Sequence, residues 1–327
     1  MKICGGKFFK GGFAIKGYIL KRLILLVPLM FAITLFAFFL LKALPGDPVL
    51  GLVGERASPE IIESIRKEMG TDKGFVSQYI GYLKLLLKGD LGRSYYTNRD
   101  VLTDISLKFP NTMMLAFAAM LVSVPLGIAL GFLSALSANR RSRFLEKLID
   151  TISISGLSIP VFWSAIIIMM IFSLKLKLFP PSGTGDIRFL VLPAVVLAIP
   201  ATATLARVTK TTVIDILKMP YITTARSKGL SLTRINLIHV LRNAIIPIVT
   251  IIGLDFGSYL NGAVVTETIF GWDGLGRFTM EGIIKRDYPV IMGCIIVGTV
   301  VFVIVNLITD VIYQYLDPRI RLNVKKG

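Results

Sequence analysis

Two features of this sequence could do chemistry. The first is a single acid, Asp255, in the middle of an apolar run near residues 244–268. A charge at the centre of a membrane span costs roughly 2.5–3.5 kcal/mol on insertion scales, so such a carboxyl needs a cavity, a cation or a hydrogen-bond donor. Ser258 and Asn261 follow at intervals of three residues. One reading is that Asp255, with Ser258 and Asn261, lines a translocation path and attracts a peptide amino group or a metal cation. The other is a packing acid, hydrogen-bonded to Ser258 or Asn261 or simply protonated. The second feature is a basic stretch from Arg207 to Pro247, which holds seven Lys or Arg against one acid, Asp215. That density of charge cannot cross a bilayer, so the stretch lies outside it, between two apolar runs.

Catalytic groupings are missing from the sequence. A phosphate-binding loop needs G-x-x-x-x-G-K followed by Ser or Thr. The nearest echo, Gly6-Lys7, lacks the first glycine and is followed by Phe8. H-E-x-x-H, C-x-x-C and G-x-S-x-G do not occur. The one histidine, His239, sits within the basic stretch, where a packing or surface role is expected. Cys4 and Cys294 are far apart and fall in different compartments in the topology below, which argues against a disulfide or a metal site. The chain is therefore expected to be no enzyme and to bind no cofactor or metal itself.

The elements that must position these residues are membrane helices. Of 327 residues, 54% are hydrophobic and 17% charged, which excludes an ordinary soluble domain. The formal charge of +17 could suggest nucleic acid. It clusters at the ends of apolar runs instead, as the positive-inside rule requires, and no nucleic-acid partner is expected. Residues 1–22 form a basic cytoplasmic segment, and 23–44 a first span of the ~20 residues a bilayer needs. Five further apolar runs lie near 112–137, 151–174, 189–206, 244–268 and 289–314. Loops 138–150 and 207–243, the N-terminal segment and the tail from Tyr315 together hold 21 of the 37 basic residues. That bias puts these segments and both termini in the cytoplasm. The expected fold is all-α with six membrane helices: 111–314 form a five-helix core and 315–327 a cytoplasmic tail.

Residues 45–110 are mixed in charge and read as a helical extracytoplasmic insertion. Ser58-Pro59-Glu60 starts a helix that Gly70 can end, and Tyr79, Tyr82, Leu83 and Leu86 mark a second that closes near Gly89. Either contact with a substrate-delivering protein or a lid on the helix ends fits this insertion. Pro28, Pro125, Pro160, Pro193 and Pro200 interrupt the spans, which membrane helices tolerate where neighbours satisfy the freed carbonyls. Gly127/Gly131 and Gly253/Gly257 offer G-x-x-x-G packing.

Within the basic stretch, Pro220 fits a helix start and Gly229 a left-handed stop, while Ser231 can cap a second helix. Leu232, Ile235, Ile238, Leu241 and Ile245 recur at helical spacing. The expectation is two short helices hinged at Gly229. Ala225 and Gly229 lie one turn apart on a small-residue face that a partner could approach closely.

Thr223-Thr224-Ala225, three residues, then Gly229 resembles the EAA loop of ATP-binding-cassette import permeases. The form TARSKGL…HVLRNAIIP resembles their dipeptide, oligopeptide and nickel branch. Departures are Thr223 for Glu, Thr224 for Ala, His239 for Ile and Arg242 for Pro. Pro45-Gly46-Asp47-Pro48, Gly89-Asp90-Leu91-Gly92-Arg93-Ser94 and Thr266-Glu267-Thr268-Ile269-Phe270-Gly271-Trp272 also look like that branch. So do Gly274-Leu275-Gly276-Arg277, Asn306, Asp310 and Leu316-Asp317-Pro318-Arg319-Ile320-Arg321, with Asp273 where Pro is usual. The resemblance implies one permease subunit of an ATP-driven importer in the prokaryotic cell membrane. It implies a similar second permease, taken as a different chain, two ATPase subunits that use the ATP, and an extracytoplasmic binding protein that delivers peptide or a related solute. It also implies that Tyr221, Thr223, Thr224, Ala225, Arg226, Lys228, Gly229 and Arg234 dock against the ATPase. A secondary transporter driven by an ion gradient is the rival, but it would want several intramembrane acids and an internal repeat. A transport-inactive scaffold would leave the broken helices and the hinge without purpose.

Overall fold

A computed structural model describes residues 11–43, 47–54, 57–138 and 143–316. Cys4, Pro45-Gly46, Arg140, Arg141 and the Asp317–Arg321 motif lie outside the described residues. Those described form helices α1 (Gly11–Ala43), α2 (Pro48–Val53), α3 (Pro59–Glu68), α4 (Phe75–Leu87), α5 (Val101–Ser137), α6 (Phe144–Ser158) and α7 (Val161–Met169). They continue as α8 (Ile187–Leu217), α9 (Pro220–Ser227), α10 (Leu232–Arg234), α11 (Leu241–Leu260), α12 (Val264–Ile269), α13 (Leu275–Lys285) and α14 (Tyr288–Leu316). Among the described residues there is no strand, only one isolated bridge between Arg93 and Asp100. The protein is an all-α membrane protein. Five helices are long and apolar enough to span, or six if the bent pair α6–α7 counts as one.

That bent pair corrects the run at 151–174. It breaks at Pro160, where α6 and α7 meet at 100°. Proline removes an N–H and disfavours helical geometry at the residue before it; Ile159 is extended, with ψ 123°. Two other boundaries move. Helix α5 begins at Val101, capped by the Asp100 carboxylate accepting from the Thr103 N–H at 2.9 Å, so a division at residue 110 falls inside a helix. The run at 244–268 ends as a helix at Leu260, and residues 264–269 form the separate α12.

The core pair is α5 against α8. Their backbones touch at glycine: a Cβ on Gly131 would lie 2.3 Å from the Ala206 carbonyl oxygen, and one on Gly127 would lie 2.5 Å from the Leu205 Cβ. Helices α11 and α14 meet in the same way, since a Cβ on Gly253 would lie 2.2 Å from the Thr309 hydroxyl oxygen. Helix α1 lies on α14, tied by Arg22 to Asp310 at 2.8 Å. Helices α3 and α4 keep the expected caps, Ser58 at the start of α3 and left-handed Gly70 and Gly89 after them. Helix α4 docks on α1 through Tyr79, whose hydroxyl is 3.1 Å from that of Thr34.

Candidate coupling surface and membrane path

The basic stretch is built differently from two hinged helices. Its first part, Arg207 to Leu217, is the end of α8. Only α9 is a free-standing short helix. After Ser231, α10, a π-helical turn at Ile235–Val240 and α11 run on as one 29-residue segment, Leu232–Leu260. The reason lies in register. Four-residue spacing from Ile235 would bury His239 and then Asn243. The wider turn instead buries Ile235, Val240, Ala244 and Ile248 and leaves Asn243 exposed and His239 half-exposed. Ile238 and Ile245 of the expected stripe are exposed.

Helix α9 ends in a Schellman closure. The Leu230 N–H donates to the Ala225 carbonyl at 3.3 Å and the Gly229 N–H to that of Arg226 at 2.9 Å. Gly229 has φ +77°, with nothing within 4 Å of where a Cβ would sit. The space beside it is open to a partner.

Seven of the eight residues that the sequence brings to this surface are exposed: Tyr221, Thr223, Thr224, Arg226, Lys228, Gly229 and Arg234. Ala225 is the correction. It is buried with Ile222 against Val213, Ile216, Ile235 and Val240, so it seats α9 on α8 and α11 and presents nothing outward. Two hydroxyls are turned back on the helix, Thr224 to the Pro220 carbonyl and Ser227 to that of Thr223, both at 3.1 Å. Exposed Met219 and Leu232 flank the cations. The face offered is thus basic and apolar rather than one of small residues.

Sequence reasoning missed two clusters, one half-buried and one buried. Lys210 of α8 donates to Glu146 at 2.9 Å and to Asp150 at 2.5 Å, both on α6, and the Ser134 hydroxyl donates to Asp150 at 3.1 Å. Lys210 reads as one more cation of a loop because its acids lie some 60 residues earlier. The second cluster is Glu267, fully buried. Its carboxylate accepts from the Thr112 hydroxyl and the Arg277 N–H, both at 2.9 Å. Burial pushes this carboxyl above the ordinary range, against the opposing pull of those donors. Around it, the Trp272 ring N–H donates to the Asn111 carbonyl at 3.0 Å and Asp273 pairs with Lys108. The signal was present in Thr266–Arg277 as a motif, but not the α5 residues that it grips.

Asp255 sits half-buried on α11 with its Oδ2 atom unpartnered. Of the packing alternative, the hydrogen bonds to Ser258 and Asn261 are not formed, which leaves it the protonated carboxyl. Asn261 donates to the Gly257 carbonyl at 3.1 Å and lies against Gly298 of α14, while Ser258 is exposed. Neither satisfies Asp255, and Asn261 turns away from it.

The family model described as "Binding-protein-dependent transport system inner membrane component" matches residues 123–322. Its N-terminal companion model matches residues 15–116. The chain belongs to this family. The permease is 36% identical to the di/tripeptide transport system permease protein DppB of Pseudomonas aeruginosa, across 93% of this chain and 98% of that one. It is equally identical to the glutathione transport system permease protein GsiC of Escherichia coli K12, with the same coverage. Its fold is that of the inward-facing MetNI methionine ABC transporter, with a TM-score of 0.53 at 16% identity, covering 66% of this chain and 96% of that one. It is a permease subunit of an ATP-driven importer of the inner membrane, and the gradient-driven rival falls. The family implies an ATPase and a binding protein as partners.

Proposed function

We propose that this permease forms half of a membrane path for short peptides, opposite a second, different permease chain, with both termini and α9 on the cytoplasmic side. Two relatives are named for di/tripeptides and for glutathione, itself a tripeptide, which supports a peptide cargo. The single observation that carries the coupling role is α9. It is seated by Ile222 and Ala225 on the path helices α8 and α11. Apart from Tyr221, whose hydroxyl accepts from the Asn243 amide at 3.3 Å, its outer face has no side-chain partner on another element among the described residues. An ATPase subunit docked there would move both helices at once. ATP is bound and hydrolysed by that partner, and no cofactor is assigned to this chain. Asp255, with Ser258 beside it, is assigned to the path, where an unpartnered carboxylate oxygen can meet a peptide's amino group.

The test is Gly229→Leu in the assembled transporter. A Cβ here meets no described atom within 4 Å, so the cost within the permease is the left-handed backbone alone, about 1–2 kcal/mol, and insertion and abundance should stay close to wild type. ATPase co-purification should fall and ATP-driven uptake in vesicles should be lost. Normal docking with normal uptake would sink the reading.

A further inference from the structure

An open groove of about 580 Å³ runs along the outside of α1. Ala32, Phe36 and Leu40 line one wall, and Ile283, Tyr288 and Ile295 line the other. Phe36 and Leu40 are exposed, so none of the described residues covers them. The wall runs from Ala32 to Leu41, about 14 Å at the helical rise. That is close to half of the roughly 30 Å hydrocarbon core, the depth of one leaflet.

The end of the groove at Leu41 is cationic. Arg286 is the one charged residue lining it, held by a left-handed backbone with φ 56° at the end of α13. Its guanidinium has no hydrogen bond or ion pair among the described residues. Lys42 follows the wall directly and lies 5.2 Å from the centre of the Tyr288 ring. Lys285 lies 5.7 Å from that of Tyr96. The neighbouring acids are occupied: Asp47 pairs with Arg66, and Asp287 accepts from the Ser94 hydroxyl at 2.6 Å and the Tyr95 N–H at 3.2 Å. The opposite end of α1 carries the basic segment that orients it. Cations at this end run against that bias and call for a counter-charge from outside the chain. An apolar trough one leaflet deep, ending in an Arg286 without an ion pair among the described residues and a Lys42 that shares Asp47 with Arg66, matches a lipid with an anionic head. A partner's apolar helix would fill the trough and leave the cations bare.

We propose that this groove binds one acyl chain of an anionic phospholipid, with the phosphate held between Arg286 and Lys42. The test uses the whole transporter, purified with its partner subunits and read by native mass spectrometry after incubation with phosphatidylglycerol. Wild type should retain phosphatidylglycerol in preference to phosphatidylcholine of the same chains, and glycerol phosphate should not displace it. Arg286→Asn, which suits the left-handed backbone, and Lys42→Gln should each weaken retention about fivefold. Ala32→Trp fills the trough from an exposed position and should abolish retention with the cations intact. Equal retention of the two lipids, or unchanged retention in all three variants, would overturn the proposal. Displacement by glycerol phosphate would reduce the site to a phosphate site and also overturn it. So would efficient cross-linking of a cysteine at Phe36 to the second permease, which would show a protein helix in the groove.

Discussion

Helix α9 and the loop from Thr266 to Arg277 both resemble motifs of the permease family and both turn on glycine, yet their glycines answer to opposite demands. Gly229 is needed for its backbone: φ is +77° and the space around it is empty. Gly274 has an ordinary φ of −110°, but a Cβ there would lie 2.5 Å from the Glu267 carboxylate and 2.6 Å from the Thr112 hydroxyl. The outer loop spends its polar groups within the chain, on α5. The α9 surface turns the Thr224 and Ser227 hydroxyls back on its own helix and leaves the side chains of Arg226, Lys228 and Arg234 without a partner among the described residues. Gly274 keeps room for groups packed inside the fold, whereas Gly229 keeps a backbone turn at an exposed surface, the one proposed above to meet the ATPase.

Substitutions can break or sharpen that contrast. The largest effect is expected from Glu267→Ala, which strands the Thr112 hydroxyl and the Arg277 N–H in a buried site. At about 1–3 kcal/mol for each stranded group, the permease should unfold early in a detergent thermal melt and accumulate poorly. Gly274→Ala should follow, with a loss of about 1–3 kcal/mol from overpacking and a similar fall in abundance. A wild-type melt in either variant would place the outer loop in the same class as α9. Gly229→Ala should cost only about 1–2 kcal/mol, confined to the left-handed position. Abundance should hold while ATPase docking weakens, and poor accumulation would make Gly229 a folding residue like Gly274. The smallest effect is on pH dependence. The Glu267 carboxyl titrates above its ordinary 4.5 in the folded chain. Its contribution to stability is therefore full below 4.5 and declines as pH rises through the raised value. Glu267→Gln should flatten that slope in melts taken just above pH 4.5. An unchanged slope would mean that the carboxyl stays charged throughout.

Much of this was readable from residue type. Ser58 starts a helix and Gly70 and Gly89 end helices for local reasons, and local reasons are what a sequence displays. The G-x-x-x-G pairs likewise announce close backbones, although not which helix comes near. What stayed hidden depends on distance or on geometry without a compositional mark. A π-helical turn adds one residue per turn and no special side chain, so the apolar stripe was followed through Ile238 and Ile245 while the fold buries Val240 and Ala244. The apolar run at 151–174 looks uniform, and only backbone geometry turns Pro160 from a tolerated kink into a corner. Lys210 reads as a loop cation until α6 brings Glu146 and Asp150 to it. The small-residue face drawn through Ala225 failed because Ala225 and Gly229, one turn apart, are divided by the Schellman closure into an inner and an outer position.

The unbroken run from Leu232 to Leu260 has a mechanical meaning. Its 29 residues make a rod of about 43 Å, with α9 bearing on one end and Asp255 near the other. A rod transmits tilt at once and amplifies a small displacement by the ratio of its arms. The π-helical turn at Ile235–Val240 and Pro247 in α11 are where its regular hydrogen-bond ladder is interrupted. Under the coupling proposed above, the stiffness of this run would set how much of an ATPase stroke reaches the far side of the membrane and how much is absorbed as local bending.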